Sequence, residues 1–136
     1  MKHNIISFPD PQVHPKGWGQ EIWLINCPDY CCKFLDFKKD SRGSMHFHDQ
    51  KHETWYLLSG KVSVSWVDPD DAKKHTRIIN VGEMVDIPRL QTHQVHALED
   101  SRILEVSTTH FEDDSYRVAP GDSQAQSRIE DEQISI

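Results

Sequence analysis

The chain has 136 residues, 22 acidic and 15 basic side chains, a formal net charge of -7 and nine histidines. That length predicts one domain with a single ordinary core. The acidic excess and the scattered Lys and Arg argue against a nucleic-acid binder, whose affinity comes from clustered cations that release counterions. The longest apolar runs are four residues, as in Trp55-Tyr56-Leu57-Leu58, far short of the ~20 residues of a membrane helix.

In chain order, residues 1–17 are interrupted by Pro9, Pro11 and Pro15. They read as an arm with at most a short edge strand, not as a secretory signal, so a cytoplasmic location is expected. Strands are predicted over 21–26 and 30–37, around Cys27, Cys31 and Cys32. Three is an odd number, and adjacent Cys31 and Cys32 would face opposite ways on a strand, so core thiols are expected rather than a disulfide or a metal site. Further strands are predicted over 54–58, 60–67, 76–80, 83–87, 93–98 and 102–107. The clearest is 60–67, where Val62, Val64 and Trp66 alternate with Lys61, Ser63 and Ser65, the period-two pattern of a half-buried strand. Turn-forming clusters such as Asn26-Cys27-Pro28-Asp29, Ser59-Gly60 and Asp68-Pro69-Asp70-Asp71 separate them. No long amphipathic helix is evident. Eight short strands point to an all-β jelly roll over residues 18–118, followed by a polar tail over 119–136.

Six of the nine histidines fall between positions 46 and 96, two of them in His46-Phe47-His48. Residues two apart on a strand face the same way, so both imidazoles would enter the barrel while Phe47 points out. Glu53 lies where a hairpin could return its carboxylate to the same interior, and His93 follows in the second half of the chain. Three imidazoles and a carboxylate can hold a divalent transition metal and leave positions open for water or substrate. A His-x-His pair also arises by chance, as ordinary polar strand residues.

The combination is more specific. Gly43, His46, His48, Glu53 and Gly60 form one block, and Gly82, Pro88 and His93 form a second. Together they resemble the paired signature of the cupin superfamily. The resemblance implies a double-stranded β-helix, or jelly-roll, barrel with His46, His48, Glu53 and His93 as ligands of one zinc, manganese, iron, nickel or cobalt ion. Leu90 and Ala97 stand where that family has glycine and asparagine. The flanks 16–23, with Trp18-Gly19, and 104–117, ending in Arg117, resemble the cupin domain of type II mannose-6-phosphate isomerases, which also occurs fused to mannose-1-phosphate guanylyltransferases. That implies a metal-dependent isomerase or epimerase of a small-molecule sugar or sugar phosphate, with Glu53 as a candidate catalytic base. Lys33 and Arg89 are candidate phosphate contacts or else solvated surface charges. An iron-dependent cupin dioxygenase and a non-catalytic sugar-binding or regulatory cupin are the alternatives. His52 reads as a surface or supporting group, and His96 as facing away from His93. His3, His14, His75 and His110 carry no assigned role. A homodimer is expected, because terminal strands commonly pair across subunits.

Overall fold

The inward residues alternate along the strands that enclose the interior. In Cys31–Phe37 the buried residues are Cys31, Lys33, Leu35 and Phe37; in His93–Ala97 they are His93, Val95 and Ala97; in Ser101–Ser107 they are Ser101, Ile103, Glu105 and Ser107. The computed structural model describes residues 12–124. Among these are eleven strands: β1 (Gln12–Lys16), β2 (Gly19–Asn26), β3 (Cys31–Phe37), β4 (Met45–Phe47), β5 (Glu53–Ser59), β6 (Lys61–Asp68), β7 (Lys73–Asn80), β8 (Met84–Ile87), β9 (His93–Ala97), β10 (Ser101–Ser107) and β11 (Tyr116–Ala119). They build two sheets, in the orders β1-β2-β3-β10-β5-β8 and β11-β4-β9-β6-β7. All the pairings are antiparallel. This is the all-β jelly roll expected. The eight predicted strands are present, with ends displaced by up to three residues.

The apolar core joins both sheets through Leu35, Leu57, Val62, Val64, Ile79, Val95, Ala97 and Ile103. At the β5–β6 hairpin, Gly60 takes φ +85 with its α-carbon against Asp100 and Ser101, a space and a conformation that exclude a side chain. The cysteines are free, with Cys31 buried.

Both ends of the described chain join the sheets. β1 pairs with β2 at a sheet edge, and β11 pairs with β4. Beyond β11, Gly121 packs on the backbone of Gly43 and Ser44 too closely for any side chain, and the Asp122 carboxylate accepts the Arg42 N–H at 2.8 Å. The rest of the expected arm, 1–11, and of the expected tail, 125–136, lies outside the described residues. Among the described residues, no helix is long and apolar enough to cross a membrane.

Candidate metal centre

His46 on β4 sits directly across from His93 on β9. His48 follows two residues after His46, and one ring nitrogen from each of the three imidazoles lies within 4.8 Å of the others. Each ring is oriented by a backbone carbonyl through Nδ1: His46 by Ser44 at 3.0 Å, His48 by Asp114 at 2.6 Å and His93 by Gln91 at 2.8 Å. A carbonyl only accepts, so each ring carries its proton on Nδ1 and leaves the Nε2 lone pair free. Burial is the main cause that pushes the three imidazoles down, His46 to about 3 and His48 and His93 to about 4, so the rings are neutral.

Glu53, at the start of β5, completes the group. Its Oε2 lies 3.5 Å from His93 Nε2 and 3.8 Å from His48 Nε2. Among the described residues, Glu53 Oε2 and His93 Nε2 are buried with no hydrogen-bond partner. A carboxylate oxygen facing imidazole lone pairs is an arrangement of acceptors alone, costly when buried unless a cation lies between them. The donor set therefore fits a divalent metal ion, and all four residues expected as ligands from the sequence meet here.

The loop between His48 and Glu53 is held by a residue that sequence reasoning missed. Asp114 is buried, and its carboxylate accepts the backbone N–H groups of Asp49, Gln50 and Lys51 at 2.9, 3.0 and 3.0 Å. The same residue thus aligns His48 through its carbonyl and shapes the loop that delivers Glu53. A second loop shows how a departure from the resembled pattern is absorbed. Leu90 adopts φ +69, the conformation for which glycine is favoured, and donates its N–H to the His48 carbonyl at 2.7 Å.

Next to the histidines the interior carries charge. Lys51 is 4% exposed, with Nζ 3.2 Å from Glu53 Oε1 and 3.5 Å from Glu105 Oε2. Burial works to lower its pKa, but Glu105 and Glu53 outweigh burial and push it up. Burial and the neighbouring Glu53 raise the Glu105 carboxyl to about 7. Lys33 is 2% exposed: its Nζ lies 3.1 Å from Glu21 Oε1, 3.2 Å from His110 Nδ1 and 4.2 Å from the centre of the Trp23 ring. Burial alone would raise Glu21, yet Lys33, Lys16 and the Trp23 N–H hold it down at about 2. Burial and Lys33 push His110 down to about 4.

These groups surround a cavity of about 300 Å³, at the small end of ligand pockets, with Trp18, Trp23, Phe37 and Trp55 among its walls. Lys33 is thus an interior residue rather than a solvated surface charge. Arg89 is exposed, away from the cavity, and donates to the Gln50 carbonyl at 2.7 Å. Two histidines without an assigned role, His14 and His110, line the cavity, and His14 stacks on Trp23 with ring centres 4.1 Å apart. His52 is half-buried and pairs with the exposed Asp86 at 2.7 Å. His75 pairs with Asp71 at 2.8 Å, beside Asp68, on the outside of the barrel. Lys33 and Glu105 do occupy inward positions of alternating strands, a signal that could have found them. Lys51, His110 and Asp114 lie in loops and offer no such pattern.

Neither a family model nor a curated protein matches the sequence. Solved structures do match in fold. Oxalate decarboxylase from Bacillus subtilis aligns with a TM-score of 0.72 at 16% identity, over 83% of this chain and 31% of that one. The formate complex of Lactobacillus farciminis oxalate decarboxylase gives 0.72 at 17%, over 83% and 35%. The capsular polysaccharide assembling protein CapF from Staphylococcus aureus gives 0.69 at 21%, over 81% and 34%. The chain spans about a third of the length of these proteins. Its fold is the cupin jelly roll, with a candidate three-histidine metal site inside it.

Proposed function

We propose that His46, His48, His93 and Glu53 hold one divalent transition metal, and that the barrel is a metal-dependent isomerase or epimerase of a small sugar or sugar phosphate. The observation that carries the metal assignment is the convergence of three imidazole nitrogens within 4.8 Å of one another, each ring fixed by a carbonyl at Nδ1, with the unpartnered Glu53 Oε2 facing His48 and His93. The metal would supply Lewis acidity toward a carbonyl and its neighbouring hydroxyl. Lys51 holds Glu53 Oε1 at 3.2 Å and leaves Oε2 facing the histidines. Glu53 can serve as the base that moves a proton between adjacent carbons only when its Oε2 is off the metal; Glu105, also held by Lys51 and on the cavity wall, is the second carboxylate within the site and is not a metal ligand in this reading. The aromatic walls exclude bulk water around a charged intermediate.

One observation favours a second reading, metal-dependent decarboxylation of a small carboxylate. The fold matches a Bacillus subtilis oxalate decarboxylase described as having Mn(II) centres, with a TM-score of 0.72 at 18% identity. Elemental analysis of the purified chain, followed by NMR of hexose, pentose and sugar-phosphate panels in D2O, tests the first reading. The expected result is about one divalent metal per chain, with metal-dependent deuterium incorporation at the carbon beside the carbonyl. Absence of exchange by the metal-loaded protein across the panel would eliminate the isomerase. Absence of bound metal would eliminate both.

A further inference from the structure

One cation on the cavity wall takes no part in that chemistry. Arg117 on β11 is the direct register partner of His46 on β4, and opposed residues of an antiparallel pair point to the same face. Its neighbour Tyr116 turns the other way and stacks on Phe47, ring centres 5.1 Å apart. The Arg117 side chain accordingly lines the cavity beside the histidines. The other lining cations have carboxylates: Lys33 and Lys16 lie 3.1 and 3.7 Å from Glu21, and Lys51 lies 3.2 Å from Glu53. Among the described residues, Arg117 makes no ion pair and no side-chain hydrogen bond. A guanidinium offers five N–H donors in a planar fork that matches a carboxylate or a phosphate.

Trp55, also on the cavity wall, is 5% exposed, and its Nε1–H is buried with no partner among the described residues. The charge balance agrees. The buried lysines are already offset by glutamates, so a divalent cation at the histidines would leave the interior with positive charge for a ligand to offset.

We infer that the cavity's ligand carries an oxyanion, a carboxylate or a phosphate, and that Arg117 is the specificity-determining residue that reads it. The inference rests on the metal reading for the charge balance and for what the other end of that ligand meets, while the unpaired Arg117 stands apart from it.

Calorimetric titration of the metal-reconstituted full chain tests it with two matched series: glycerol, glycerate and glycerol phosphate, then glucose, gluconate and glucose 6-phosphate. In at least one series a charged member should bind about tenfold or more tightly than its neutral parent, the scale of a charge-assisted contact. Arg117→Ala should remove that preference without changing metal content or melting temperature. Arg117→Lys should restore part of it, since lysine keeps the charge and loses the fork. Preference for the phosphate or for the carboxylate member identifies the source of the oxyanion. Equal binding of neutral and charged members, no binding by any charged member, or full binding by Arg117→Ala would overturn the inference. A chain that takes up no metal yet loses anion binding with Arg117→Ala would overturn the metal reading alone. Metal uptake with no preference for charge would overturn this inference alone.

Discussion

The two ends of the barrel interior are built from the same strands and have opposite chemistry. Along β5 the inward residues run Glu53, Trp55, Leu57; along β9, His93, Val95, Ala97; along β3, Lys33, Leu35, Phe37; along β10, read backward, Glu105 and Ile103. Each strand passes from charge or imidazole to hydrocarbon within two residues; the change falls in register between β3 and β10, and between β10 and β5 it is offset by one inward position, Glu105 lying across from Trp55. One end is a dry core of the usual kind. The other replaces apolar burial with histidines, glutamates and lysines that hold one another. Stability is therefore concentrated at the apolar end, and the polar end is free to bind.

The largest test breaks the polar end. His46→Ala and His48→Ala together should abolish metal uptake, read by elemental analysis, while circular dichroism still reports a folded barrel, because neither ring belongs to the apolar core. Metal content equal to wild type in the double variant would remove the assigned ligands. Next comes Lys51→Met, which strips the buried partner from Glu53 and Glu105. Breaking a buried pair on one side costs about 3–5 kcal/mol, to be measured by urea unfolding of the metal-free protein. Added metal should recover more stability in this variant than in wild type, since it would replace the missing positive charge at Glu53. An equal metal response in both proteins would show that Lys51 and the metal do not share that carboxylate.

Acid supplies a smaller effect at the same end. Glu21 titrates at about 2 in the folded protein against 4.5 ordinarily. A depressed carboxylate contributes stability that is complete above its unfolded pKa and is lost as pH falls toward the folded one, so the window runs from 4.5 down to about 2. At 1.36 kcal/mol per unit the whole contribution is on the order of 3 kcal/mol. The stability difference between wild type and Glu21→Gln should shrink across that window, and a difference that stays constant with pH would disprove the linkage.

The alternating strands and the ligand candidates were legible because both depend on local spacing. Period two marks a half-buried strand in sequence as it does in space, and His46 and His48 share a face for the same reason. What escaped depends on partners far along the chain. Lys33 can be buried because Glu21 and His110 meet it, and Lys51 because Glu105 does, 54 residues away. Asp114 earns its place through N–H groups 63 to 65 residues earlier. β11 carries no burial alternation, every residue being exposed, so nothing in 116–119 announced a strand. Leu90, out of place in the resembled pattern, is held in its loop by one hydrogen bond to His48.

The smallest prediction tests whether the two ends are energetically separate. Ile103 is 1% exposed and packs in the core cluster, two residues before Glu105 on the same inward face. Ile103→Val removes one methylene there and should cost about 0.5–1.5 kcal/mol, the lost transfer energy plus the small void left behind. Close packing transmits strain, so a displaced β10 would carry the disturbance to Glu105 and through it to Lys51 and Glu53. If β10 is instead fixed by its pairing with β3 and β5 on both sides, the loss stays at the apolar end. The expected result is a lower urea midpoint with metal content and metal affinity unchanged. A weakened metal affinity in Ile103→Val would mean that the core sets the geometry of the histidine end, and that the two chemistries of this interior are coupled through the strand they share.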